Sequence, residues 1–180
     1  VKKFFVIFIV LSLVLVGGFI FSPKTKSVIV NKKGQSMKIA SSAFENQQKI
    51  PLKYTCLEDG INPPLEFSDV PKNAKSLALI MDDPDAPMGT FVHWVVFDIP
   101  AVTTGIAENS KPAGTEGKNG AGETGYFGPC PPSGTHRYFF KLYALDSLLG
   151  LDTHADKKAI ENAMEGHIVA QAELIGVFSK

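Results

Sequence analysis

The stretch from Lys75 to Ile99 reads KSLALIMDDPDAPMGTFVHWVVFDI. Two apolar runs, Lys75 to Asp82 and Phe91 to Ile99, flank the turn Asp83-Pro84-Asp85-Ala86-Pro87. Runs of this length, rich in branched and aromatic residues and bounded by Pro, Gly and Asp, read as β-strands. Pro84 and Pro87 fix their own φ and bias Asp83 and Ala86 towards extended backbone, so the connection is both rigid and acidic. Counting by twos along the second strand puts Phe91, His93, Val95, Phe97 and Ile99 on one face. Val92, Trp94, Val96 and Asp98 take the other. His93 is therefore expected on an apolar face, close to the start of its strand.

The same rhythm continues outward on both sides. From Met37 onward short apolar runs alternate with punctuation such as Asn62-Pro63-Pro64 and a long Gly- and Pro-rich segment from Lys111 to Gly134. Such a segment inside a compact domain is more often functional than accidental. Arg137 to Leu145 reads as a third strand, with His136, Tyr138, Phe140, Leu142 and Ala144 on one face. One helix is marked by Asp152 or Thr153 as cap, an apolar stripe of Ala155, Ala159, Ile160, Ala163 and Met164, and Gly166 as its end. A last strand follows, in which Ile168, Ala170, Ala172 and Leu174 alternate with Val169, Gln171, Glu173 and Ile175. The class is mainly β, and 180 residues suit one domain with a sizeable core.

Residues 1–22 stand apart. Lys2 and Lys3 precede an apolar run from Phe4 to Phe21, long for a signal-peptide core and just sufficient for a spanning helix. A signal peptide or membrane anchor is expected here, leaving the domain extracytoplasmic by the positive-inside tendency, either membrane-anchored or secreted. Residues 23–35, with Lys24, Lys26, Lys32 and Lys33, read as a polar linker, in which Val28-Ile29-Val30 could form a short strand. The domain proper is expected over residues 36–180.

Positive and negative side chains balance to a net charge of zero, so no basic field points to nucleic acid. Any charge selectivity must be local. His93 and His136 each open an apolar-faced strand after a loop dense in Pro and Gly, an arrangement that can bring both to one pocket. The Asp83–Pro87 turn adds carboxylates able to fix an imidazole's tautomer and stabilise its protonated form, which suits a site for an anion near neutral pH. The bland alternatives are hydrogen-bonded core histidines and a solvated surface turn. His154 and His167 flank the expected helix and read as structural.

Taken with Gly128-Pro129-Cys130-Pro131-Pro132-Ser133-Gly134-Thr135-His136-Arg137-Tyr138, the Asp83–Pro87 turn and His93-Trp94 resemble, in order and spacing, the two motif blocks of the phosphatidylethanolamine-binding (Raf kinase inhibitor-like) family. Weaker similarity runs over nearly all of Met37 to Phe178, and the short tail resembles the prokaryotic branch. Phe67 stands where the family usually has Trp. The resemblance implies an antiparallel β-sandwich with Greek-key-type connections and one or two short helices. It also implies a pocket for phosphate or a phosphorylated head group, and roles as a kinase or protease inhibitor. Carried over, the pocket comprises Asp83, Pro84, Asp85, His93, Gly128, His136 and Tyr138. Arg137 falls on the opposite strand face and is not expected to hold the anion.

No cofactor is called for, and a non-catalytic binding protein is the expectation. A hydrolase would need a nucleophile, and Ser133 lies in Pro-Ser-Gly rather than Gly-x-Ser-x-Gly. A metal-dependent enzyme would use the His/Asp cluster, yet the histidines lack short ligand spacing. Cys56 and Cys130, the only two cysteines, can pair if the domain lies in an oxidising exterior. The alternative is two small buried thiols.

Overall fold

The computed structural model describes residues 36–180. The expected signal or anchor, the linker and its short strand lie outside the described residues. Among the described residues no helix is long and apolar enough to cross a membrane.

Strand β4 (Ser76–Asp83) is buried along its whole length. A continuous apolar run of this kind is stable only with both faces covered, and β4 accordingly lies inside a six-stranded sheet. Its neighbours are β5 (Phe91–Pro100) and β8 (Thr135–Leu145), followed by β9 (Ile168–Ser179), with β2 (Gln48–Lys49) and β7 (Thr115–Glu116) at the edges. β1 (Lys38–Ala40), β3 (Leu65–Ser68) and β6 (Gly105–Ile106) form a second, three-stranded sheet. The pairing is antiparallel except where β2 meets β9 in parallel, which departs from a wholly antiparallel arrangement.

Alternation along β4 divides its side chains between two cores. Leu77, Leu79 and Met81 point to the first, which they share with Trp94, Phe140 and Leu142 and with Ile39, Leu65 and Phe67 of the small sheet. Ala78 and Ile80 point to the second, where they meet Val95, Phe97 and the helix residues Ile160 and Met164. Phe67 is buried in the first core, so the smaller aromatic ring is accommodated there.

Helix α1 (Lys157–Met164) starts later than expected. Asp156 is the cap, accepting the Ala159 N–H at 2.8 Å. Asp152 is used otherwise, because its side chain accepts the His154 N–H and its carbonyl accepts that of Ala155, making a turn. Ala155 then accepts the Lys118 N–H through its carbonyl, so it packs in the second core ahead of the helix rather than within its stripe. Gly166, at φ 83°, takes the left-handed conformation after the helix.

Strand β5 also departs from simple alternation. Trp94 pairs with Met81 while Val92 pairs with Asp82, so His93 is the unpaired extra residue of a β-bulge. Val92 and Val95 both pack in the second core as a result, whereas Trp94 and Val96 pack in the first. A second irregularity, at Asp98 with φ 53°, sends Ile99 to the first core while Phe97 stays in the second. Val95 and Phe97 therefore do not share a face with His93, and the bulge turns the imidazole towards Tyr138, which like Ile99 is a first-core residue.

Candidate functional site

The bulge places His93 on the side of the sheet reached by alternate residues of β8, and it is there that a cavity of about 440 Å³ opens. Asp83 at the end of β4, His93 on β5 and His136 on β8 line it together. Each is almost fully buried as a residue, at 3, 4 and 6 % exposure. The strand-entry positions of the two histidines thus converge on one site.

Each imidazole is anchored by the same ring nitrogen. His136 Nδ1 lies 2.7 Å from Asp83 Oδ2, and His93 Nδ1 lies 2.7 Å from the Phe127 carbonyl oxygen. A carbonyl or carboxylate oxygen accepts, so Nδ1 carries the proton in both rings and Nε2 is left for another partner. The carboxylate close in sequence to His93 therefore serves His136, and a backbone carbonyl of the Gly- and Pro-rich segment serves His93. Asp83 also accepts the Asp85 N–H at 2.8 Å through Oδ1, which ties the rigid turn to the same carboxylate. Burial pushes the His93 imidazole below its ordinary value, and the neighbouring His136 acts in the same direction, against the Phe127 carbonyl and Asp83 and Asp82.

The other carried-over residues stand around the cavity rather than on its wall. Pro84 is exposed in the turn. Asp85 receives Arg137 at 2.8 Å from Nε and 2.7 Å from Nη2, and this guanidinium holds its carboxyl down to about 2. Arg137 is thereby committed to the outer surface, on the opposite face from His136. Gly128 lies against the Tyr54–Cys56 backbone, where an added Cβ would come within 3.1 Å of Thr55 carbonyl carbon. Its lack of a side chain serves close packing of the wall. Tyr138 meets the His93 ring edge-on with centroids 5.1 Å apart. Its buried hydroxyl has no partner among the described residues, and burial pushes it well above its ordinary value.

The apolar wall was not singled out from the residues. Phe91 and Phe127 form one side, and Met88 stands fully exposed at the rim. Cys130, Pro131 and Pro132 also line the cavity. Cys130 is bonded to Cys56, with Cα atoms 5.4 Å apart, and the Cys56 N–H donates to the Pro129 carbonyl. The motif carried Cys130–Pro132, but only their spatial return to Asp83 and His93 makes them wall. His154 and His167 are engaged by Asp152 and Asp146 on the surface, away from the cavity. Among the described residues no group of three His, Cys, Asp or Glu side chains is arranged to hold a metal ion.

The family model described as phosphatidylethanolamine-binding protein matches residues 40–179. A UPF0098 protein of Methanothermobacter thermautotrophicus is 49% identical over 150 residues, spanning 80% of this chain and 99% of its own length. A UPF0098 protein of Chlamydia trachomatis is 46% identical over 149 residues, with the same coverage. Among solved structures, a phosphatidylethanolamine-binding protein homologue from Chlamydia trachomatis superposes with a TM-score of 0.80 at 45% identity, covering 82% of this chain and 99% of that one. Escherichia coli YbcL, described as a member of the mammalian family, superposes at 0.76 with 27% identity, covering 81% and 99%. The chain belongs to the phosphatidylethanolamine-binding protein family, in the prokaryotic branch of the UPF0098 proteins.

Proposed function

We propose that the chain is a binding protein whose cavity accepts a small anion or phosphorylated head group and performs no chemistry on it. The observation that carries this reading is the pair of buried imidazoles, each tied back through Nδ1, that line one cavity with Nε2 left unpaired. A ring that also carries a proton on Nε2 donates well to an anion oxygen, and the buried surroundings strengthen such bonds relative to water. His93 and His136 make the contacts, Asp83 holds His136, and Tyr138 supports His93 from behind. Pro84, Asp85 and Gly128 shape the turn and wall.

The absence of catalysis is supported by what surrounds the dyad. Asp83 and His136 could serve as orienter and base, but Ser133 does not line the cavity. Thr90, the hydroxyl that does, sits exposed in the rim loop. Among the described residues that line the cavity, no side-chain nucleophile is held against His136. We further propose that residues 1–22 place the domain outside the cytoplasm, held at the membrane or released. The support is the apolar run after Lys2 and Lys3 together with the bonded cysteine pair, which an oxidising compartment maintains.

The test is titration of the full chain with phosphorylethanolamine, followed by calorimetry or by chemical shifts of the imidazole resonances. His136→Ala is expected to weaken binding at least about tenfold, equivalent to about 1.4 kcal/mol, with the far-ultraviolet dichroism of the β domain retained. An unchanged affinity in a folded variant contradicts the assignment.

A further inference from the structure

Cysteines are among the residues most often buried, yet both members of the Cys56–Cys130 bond are exposed, as are their neighbours Leu57, Glu58 and Pro132. A small solute therefore reaches the bond without unfolding the domain.

The two segments that the bond joins are also held together without it. The Cys56 N–H donates to the Pro129 carbonyl at 3.1 Å, and the Tyr126 hydroxyl donates to the Tyr54 carbonyl at 2.9 Å. Between these two bonds Gly128 rests on the Thr55 backbone, at a distance that a Cβ would crowd. None of these contacts uses a sulfur, so the segments stay apposed when the S–S bond is open. Two sulfurs held this way re-form their bond fast, because its closure is intramolecular.

The charges around the two sulfurs differ. Ser179 pairs with Thr135 at the end of the β8–β9 ladder, and from there Lys180 brings Nζ to 3.9 Å from Cys130 Sγ. Cys56 is followed instead by the exposed carboxylates Glu58 and Asp59. A cation beside a sulfur favours its thiolate, and carboxylates oppose it. Cys130 is therefore the better leaving group of the pair.

From these observations we propose that the bond is a thiol-exchange site of the folded domain, opened by a small thiol at Cys56 with Cys130 as the sulfur that leaves. The thiolate of the small molecule attacks Cys56 Sγ and forms a new S–S bond there, its proton having gone to solvent. The Cys56–Cys130 bond breaks, and its electron pair goes to Cys130 Sγ, which leaves as a thiolate beside the Lys180 ammonium. In reverse, the Cys130 thiolate attacks Cys56 Sγ and expels the small thiolate, so the closed form returns without an added oxidant. Cys130, Pro131 and Pro132 line the cavity, so exchange unfastens one stretch of its wall while the sheets keep their shape. The site is independent of what the cavity binds.

The experiment treats the full chain, without denaturant, with cysteamine at about pH 8, where a thiol is partly ionised. The ammonium of cysteamine suits the Glu58 and Asp59 side of the bond. Samples are quenched with N-ethylmaleimide and mapped by peptide mass. Cysteamine is expected on Cys56 and maleimide on Cys130, in protein whose far-ultraviolet dichroism is unchanged. Removing free cysteamine before the quench should restore the closed bond. Hydrogen exchange should rise over residues 128–134 of the opened form and stay unchanged in β4, β5 and β8. Lys180→Met is expected to slow opening about two- to fivefold, the range of an exposed ion pair, and Lys180→Arg to keep the parent rate. Cysteamine found on Cys130, a bond that opens only at the rate of global unfolding, exchange unaltered over residues 128–134, or an opening rate indifferent to Lys180→Met overturns the inference.

Discussion

Replacing Asp83 by Ala should weaken phosphate binding by roughly 30-fold, equivalent to about 2 kcal/mol, and should destabilise the domain by a further 2 kcal/mol or so. The carboxylate has two tasks that no neighbour can assume. Through Oδ2 it accepts from His136 Nδ1 at 2.7 Å, and through Oδ1 it accepts the Asp85 N–H at 2.8 Å. Its loss leaves a buried imidazole N–H unpaired and frees the rigid turn that forms one side of the cavity. Asp83→Asn separates these effects in part: its one amide oxygen can still accept the Asp85 N–H, while its NH2 replaces the oxygen that accepts from His136 Nδ1. That variant should keep more of the stability than Asp83→Ala and still lose affinity, measured by chemical denaturation and by phosphate titration. If Asp83→Ala bound phosphate as well as the parent, or better through relief of a negative charge, the proposed role of the dyad would be wrong.

Removing the Cys56–Cys130 bond should have the largest effect on stability. The bridge spans a sequence separation of 74 residues. Chain-entropy reasoning for a loop of this size gives about 4 kcal/mol. For a domain this large that corresponds to a fall in melting temperature on the order of 10 °C. The bond also fastens the Cys130–Pro132 wall of the cavity to the segment after Tyr54, alongside the single backbone hydrogen bond from Cys56 to Pro129. The double substitution Cys56→Ser with Cys130→Ser is therefore expected to cost anion affinity a few-fold as well. Thermal and urea unfolding of both forms measures the first effect. Thiol titration of the denatured, unreduced parent chain checks that the bond is present, and two free thiols, or an unchanged unfolding midpoint, would contradict the account.

Much of this site could be read from residue order because its parts are local. Asp83-Pro84-Asp85-Ala86-Pro87 is a stiff turn by its own composition, and His136 follows a Gly- and Pro-rich segment whose end is visible in the sequence. The long strands could be read for the same reason, being apolar runs between strong breakers. What could not be read depends on register. Counting by twos placed His93 with Val95, and the bulge that separates them exists only in the pairing of β5 with β4. The partner of His93 is the Phe127 carbonyl, 34 positions away, and a backbone atom leaves no compositional trace. The helix cap is Asp156 rather than Asp152 or Thr153, because all three are competent caps and the turn onto Lys118 decides between them. Tyr138 shares a strand face with His136, and the resemblance implies a place for it in the pocket. It lies one pair deeper along β8, where its ring backs His93 and its hydroxyl is enclosed.

The central claim is that one small anion is held by both imidazoles, and a crystal structure of the full chain soaked with phosphorylethanolamine tests it most directly. The expected result is phosphate density in the cavity, with one oxygen about 2.7–2.9 Å from His93 Nε2 and another at the same range from His136 Nε2. Asp83 should remain bonded to His136 on the far side of the ring. Density that contacts one histidine alone, or an occupied phosphate site elsewhere with the cavity containing only solvent, would contradict it.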